Sequence, residues 1–267
     1  MTTPYKIDTP EMRFAIQFVL AAGKTIRDAF TFDVTVDWKH NDTPITQAGI
    51  AINARFIAEA SKQFKGYSIL GEEASQPLPG AEWAWVIDPI DGTGPLIQGI
   101  PLSTCCVSLL HNGIPELGVI YDPMLDRLFY AQKGHGAFMN GQKISLSPAT
   151  SFDRSFVHMD SLKTGNRKLM PLREKLIEKG SVPMLINAIQ YGAALVCAGR
   201  GAGVVFSLPN FWDVAAPYII GVEAGGVATD LYGNQQRYDE PVKGFILANP
   251  TLHKELVGMV ADCLNRN

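Results

Sequence analysis

Three short β-forming runs, Thr104 to Leu110, Glu116 to Tyr121 and Arg127 to Ala131, follow one another with only turn formers between them. His111-Asn112-Gly113 and Asp122-Pro123 fill the gaps, and connections that short predict an antiparallel meander. Before the meander, Met12 to Phe30 repeats apolar residues at Ala15, Ile16, Val19, Leu20 and Ala22. Ile50 to Phe64 repeats them at Ala51, Ala54, Ile57 and Ala58. Both spacings predict helices with one apolar face, separated by a polar loop from Asp37 to Pro44. Tyr67 to Leu70 and Trp83 to Ile87 are short apolar runs that deliver acids into loops. Beyond Ser147 helices and strands alternate: Arg167 to Glu178 helical, Val182 to Ile186 extended, Tyr191 to Ala198 helical, Gly203 to Phe206 extended. Val214 to Glu223 is then helical, Phe245 to Ala248 extended, and Leu252 to Leu264 helical. Stacked layers of sheet and helix follow, an α+β (mixed α/β) fold. With no internal repeat, low-complexity tract or long linker, the chain reads as two closely fused lobes, 1–147 and 148–267, with a soft boundary.

Composition removes several function classes. A chain of 267 residues with 46% apolar content can bury roughly three quarters of its extended surface, enough for a large core. The net charge is -3 and no block of Lys and Arg stands out, so a duplex nucleic-acid partner has no counterion-releasing surface to meet. The longest apolar stretches fall far short of the roughly 20 residues of a membrane span, and Met1 to Pro10 does not read as a secretory signal. Cys105, Cys106, Cys197 and Cys263 lack metal-ligand spacing and are expected as reduced core residues of a cytoplasmic protein. The histidines at 40, 111, 135, 158 and 253 lack the His-Glu-x-x-His spacing of a zinc hydrolase, and Ser103, Ser108 and Ser207 lack a nucleophile elbow.

The most informative segment is Trp85-Val86-Ile87-Asp88-Pro89-Ile90-Asp91-Gly92-Thr93. Asp88 closes an apolar strand, Pro89 is expected to stop the ladder, and Gly92 permits a turn or a close ligand approach. Two carboxylates three residues apart at such a corner can converge on one point. Unpaired, they would repel and resist desolvation; a hard divalent cation removes both penalties. Asp88 and Asp91 alone fit a solvated acidic loop equally well. Gly71-Glu72-Glu73 also follows an apolar run, and Asp213 in Phe211-Trp212-Asp213-Val214-Ala215-Ala216 fits an ordinary helix-capping acid as well as a ligand.

Taken together, these segments resemble the inositol monophosphatase family, within the lithium-sensitive, magnesium-dependent phosphatase superfamily. The resemblance rests on Gly71-Glu72-Glu73, Trp85 to Thr93, Gly134 to Gly141, Trp212 to Ala216 and Glu223-Ala224-Gly225-Gly226, in that order. It implies a layered αβαβα sandwich, a homodimer, two or three Mg²⁺ ions and inhibition by Li⁺. By that resemblance Glu72, Asp88 and the carbonyl of Ile90 would hold one Mg²⁺, and Asp88, Asp91 and Asp213 a second. Glu72 and Thr93 would orient the attacking water, and the amides of Gly92 and Thr93 would receive the phosphate. The substrate would be a small sugar, cyclitol or alcohol phosphate. Histidinol phosphate, 3'-phosphoadenosine phosphate and fructose bisphosphate would suit the same cradle.

The chain departs from the family at three places, one of them Gly94-Pro95, where a Thr or Arg more usually follows the threonine. Pro44-Ile45-Thr46-Gln47-Ala48-Gly49 has glycine where the family has an aspartate that accepts a hydrogen bond from the threonine equivalent to Thr93. Loss of such support typically costs about 10 to 100-fold, so a slow enzyme, or a non-catalytic phosphate-binding scaffold, is expected. The family's Gly-Ser/Thr-Ala-Ala is replaced by Asn187-Ala188-Ile189-Gln190, and Phe206 stands where inositol-preferring members carry an acid. Asp91, Asn187, Ala188 and Phe206 are the candidate substrate residues, with Phe206 open to an ordinary core role that would leave Ser207 or Asn210 to address the substrate.

Overall fold

The computed structural model describes residues 6–7, 9–30, 36–38, 44–160, 167–207 and 209–265. The chain begins with α1 (Pro10–Ala29), started by the Thr9 hydroxyl, which accepts from the Met12 amide at 3.2 Å, and by Pro10 in the first turn. β1 (Val36–Trp38) and β2 (Pro44–Thr46) pair antiparallel. Part of the expected polar loop from Asp37 to Pro44 is therefore strand, with Asp37, Trp38 and Pro44 in this pair, and residues 39–43, His40 among them, lie outside the described residues. Thr46 then caps α2 (Gln47–Gln63) by accepting from the Gly49 amide.

β3 (Ser68–Gly71) and β4 (Trp83–Asp91) lead through the short α3 (Thr93–Ile97) into β5 (Thr104–His111), β6 (Ile114–Asp122) and β7 (Arg127–Gln132). The meander continues into β8 (Gly136–Met139) and β9 (Gln142–Ile144), giving a seven-stranded sheet in the order β3-β4-β5-β6-β7-β8-β9. The last hairpin turns on Asn140-Gly141, both at positive φ (48° and 78°), the dipeptide that suits a two-residue turn.

A second, five-stranded sheet has the order β11-β10-β12-β14-β13. Its strands are β10 (Ser155–Met159), β11 (Ser181–Met184), β12 (Gly203–Phe206), β13 (Val227–Thr229) and β14 (Phe245–Ala248). The helices of this half are α4 (Met170–Glu178), α5 (Ile189–Cys197), α6 (Phe211–Glu223) and α7 (Pro250–Leu264).

Three buried clusters show how the layers stack. α1 and α2 cover one face of the seven-stranded sheet through Phe14, Phe18, Phe56 and Trp85. α5 and α6 fill the space between the two sheets through Ala194, Val214, Ala215 and Phe206. α4 and α7 cover the far face of the five-stranded sheet through Leu172, Leu176, Leu252 and Leu256. The result is the layered αβαβα arrangement. Cys105 faces the first cluster and Cys106 the second, as the two-residue strand period requires. All four cysteines are free and buried. No described helix is long and apolar enough to cross a membrane.

Candidate active site

The site begins with an irregularity in β4. Asp88 pairs with Cys106 of β5 and Asp91 with Thr104, so three steps along β4 match two along β5. Contrary to the expectation from sequence, Pro89 does not end the ladder. It lacks a donor, sits in the bulge, and pairing resumes beyond it. In a regular strand residues three apart face opposite sides. The extra residue cancels one alternation, so Asp88 and Asp91 both face the helix layer between the sheets, while Ile90 packs into the opposite core.

Each acid is held by N–H or O–H donors. Asp88, only 2% exposed, accepts from the Ile90 amide through Oδ1 at 3.0 Å and from Gln190 Nε2 through Oδ2 at 2.7 Å. Asp91 accepts from the Ile189 amide at 3.0 Å, the Tyr191 amide at 3.1 Å and the Thr104 hydroxyl at 3.2 Å. Asp213 is the third residue of α6 and accepts from the Asn210 amide at 2.6 Å in a reciprocal capping box. Its capping role is therefore real, and with both the amide and the Nδ2 of Asn210 donating to Oδ2, its other oxygen keeps lone pairs for other partners. Glu72 continues the β3–β4 pairing by donating its amide to the Ile87 carbonyl at 3.2 Å.

Burial and mutual repulsion dominate the electrostatics. Desolvation, then the charges of Glu72, Asp91 and Asp213, hold the Asp88 carboxyl well above the ordinary range. Burial pushes Asp91 up to about 6 against its three donors. Burial and the Glu72 charge push Asp213 up to about 8. None of the ion pairs among the described residues includes Asp88, Asp91 or Asp213. Three aspartates and a glutamate within electrostatic reach, all oxygen donors, fit a hard divalent ion. Among the described residues, however, no three such side chains are already drawn into a closed cage.

The backbone beyond Asp91 is tightly constrained. Gly92 has φ 83° and ψ 37°, and a Cβ there would lie 2.4 Å from the Leu102 carbonyl oxygen and 2.9 Å from the Ala188 Cβ. Only glycine fits both the conformation and the space. The Thr93 hydroxyl donates to the Ile90 carbonyl at 2.9 Å.

The substrate candidates separate. Ala188 is buried against Gly92, and Asn187 is exposed beside it at φ 54°. Phe206 is 1% exposed and stacks on Phe245 with ring centroids 6.2 Å apart, which is the core role. At Gly49 a Cβ would meet the Thr46 hydroxyl at 3.5 Å and Glu73 Oε1 at 3.6 Å, both ordinary contacts. Two further residues contribute that are not among the candidates read from the sequence, Thr104 on Asp91 and Gln190 on Asp88. The signal for Gln190 was a lone amide inside the apolar stretch from Ile189 to Cys197.

The model of the inositol monophosphatase family matches residues 8–265. A histidinol-phosphatase of Chlorobaculum parvum is 32% identical over 261 residues, covering 95% of this chain and 98% of that protein. The fructose-1,6-bisphosphatase/inositol-1-monophosphatase of Thermotoga maritima is 32% identical over 218 residues, 82% of either chain. Among solved structures, the extragenic suppressor protein suhB from Bartonella henselae superposes with a TM-score of 0.88 at 25% identity, over 94% of this chain and 98% of that one. The chain belongs to the inositol monophosphatase family, whose members are phosphatases.

Proposed function

We propose that the protein is a Mg²⁺-dependent phosphomonoesterase acting on a small sugar, cyclitol or alcohol phosphate. The observation that carries this reading is the cluster of Asp88, Asp91 and Asp213, the first two buried and all three fixed by donors, at a cost in repulsion that divalent cations would relieve. Glu72, Asp88 and the Ile90 carbonyl would hold one ion, and Asp88, Asp91 and Asp213 a second. When bound, such ions lower the pKa of a water and neutralise the leaving oxygen of an in-line displacement.

The protein's own groups account for the rest. Thr93 spends its hydroxyl proton on the Ile90 carbonyl, so its oxygen is left as an acceptor for a water proton. Together with the Glu72 carboxylate it would orient that water. The main chain at Gly92 and Thr93, kept free of side-chain bulk, would seat the phosphate. Asp91, Asn187 and Ala188 would border the alcohol. The core position of Phe206 leaves no carboxylate there to bind sugar hydroxyls, so we infer that histidinol phosphate, the substrate named by the Chlorobaculum relative, belongs in the first assays beside inositol 1-phosphate. We also propose a cytoplasmic homodimer. Its four buried thiols suit a reducing compartment, and light scattering checks the dimer.

The test is phosphate release from histidinol phosphate, inositol 1-phosphate, fructose 1,6-bisphosphate and 3'-phosphoadenosine phosphate, with and without Mg²⁺ and with added Li⁺. At least one ester should be hydrolysed faster with Mg²⁺, Li⁺ should inhibit, and Asp88→Asn should abolish turnover. Absence of Mg²⁺-stimulated release from every ester overturns the enzyme reading. Gly49 favours a second reading, a scaffold that binds phosphate ligands without turning them over. Calorimetry showing Mg²⁺-dependent binding of an ester that is never hydrolysed would establish it.

A further inference from the structure

Gln190 is fully buried in the first turn of α5, beside Tyr191, Ala193 and Ala194. Its Nε2 donates to Asp88 Oδ2 at 2.7 Å, while its Oε1 is buried without a partner among the described residues. A glutamine that merely filled space here would be inferior to leucine or methionine, because an unpaired amide oxygen in apolar surroundings is unfavourable. The amide therefore has a use that the bare protein does not complete.

That use is visible in what it holds. Asp88 receives the Ile90 amide on one oxygen and the Gln190 amide on the other. Two donors, one per oxygen, fix the rotation of the carboxylate and leave lone pairs free on both. The neighbouring amides of Ile189 and Tyr191 fix Asp91 in the same way. The start of α5 is thus tied to both β4 acids, and Gln190 is the side-chain member of that tie.

We propose that Gln190 is a positioning residue of the metal centre. Its amide nitrogen holds Asp88 so that the remaining lone pairs face a divalent cation, and its Oε1 accepts a hydrogen bond from a water carried in with that cation. This rests on the metal-dependent reading above and adds a residue to it.

The experiment is titration of Mg²⁺ alone into chelator-treated protein by calorimetry, with Mn²⁺ followed by electron paramagnetic resonance, for wild type, Gln190→Met and Gln190→Ala. Methionine keeps the volume and removes the amide; alanine is the alternative if methionine does not fold. Outer support of a metal ligand is typically worth about 10 to 100-fold in affinity, so ion binding should weaken by that factor. The Mg²⁺ concentration for half-maximal phosphate release should rise in parallel, while circular dichroism stays native. Wild-type ion affinity in a folded variant, accompanied by a lower Tm of the chelated protein, would show a packing bond and overturn the proposal. If wild-type protein itself takes up no Mg²⁺ or Mn²⁺, the metal-dependent reading fails first and this inference falls with it.

Discussion

Asp91 and Asp213 destabilise the metal-free protein in proportion to their ionisation. Both are held above the unfolded value of 3.8, at about 6 and about 8. The penalty is absent below the unfolded pKa, grows as pH rises, and is complete above the folded pKa. Calorimetry in chelator should therefore show these groups lowering Tm progressively between pH 4 and pH 8, with added Mg²⁺ restoring most at the alkaline end; a flat profile with no Mg²⁺ response would contradict it. Asp213→Asn should raise the chelated Tm at pH 8 by about 2 °C for each kcal/mol of repulsion removed, and should abolish the Mg²⁺ response. Gly49 offers the opposite change. It is the third residue of α2, its amide already bonded to the Thr46 cap, and a Cβ fits without displacement. An aspartate there would meet the positive helix end, worth about 0.3–1 kcal/mol. Gly49→Asp should raise kcat by about 10 to 100-fold and also raise Tm, both measured at saturating Mg²⁺. If kcat stays flat while Asp88→Asn abolishes turnover, Gly49 is not the weakness. Much of this site was legible in the residues themselves, because Asp88 ends an apolar run, Asp91 follows it three residues on at the same corner, and Glu72 comes just after another such run. The role of Gln190 was not, because a lone amide in an apolar stretch does not say which group it meets, and its partner Asp88 is 102 residues away.

The β4 bulge shows why a correct motif can still leave a site undetermined. Spacing of three implies opposed side chains in a strand and neighbouring ones in a helix, and only the extra residue around Pro89 turns both carboxylates to one side. Periodicity identified the helices because each has a sustained apolar face, as in α1 with Ala15, Ile16 and Val19 buried. It missed β1, β2, β8, β9, β10 and β13. These strands are three to five residues long, and in β10 the sequence Ser-Phe-Val-His-Met mixes a buried histidine into the run. Pairing defines such strands, and pairing is not local.

Across the molecule, α5 and α6 serve both sheets. The seven-stranded sheet ends at Ile144 and the five-stranded one begins at Ser155, so the two-lobe reading of the sequence meets a structure in which the middle helices belong to the second half yet cover the first. A fragment of residues 1–147 would leave Val86, Cys106, Ile120 and Phe129 without their cover. It should be insoluble or bind apolar dyes, whereas co-expression with 148–267 should restore solubility. A soluble, cooperatively melting fragment would show that the first half is self-sufficient.

The distribution of the thiols has a practical consequence. Cys105 lies under α1 and α2, Cys106 and Cys197 lie between the sheets, and Cys263 lies beneath α7. Burial raises the Cys105 and Cys106 thiols and pushes Cys197 up to about 12, so the native molecule offers alkylating reagents almost no thiolate. Peptide-resolved alkylation during slow warming would then time the breach of each compartment separately, without an introduced label.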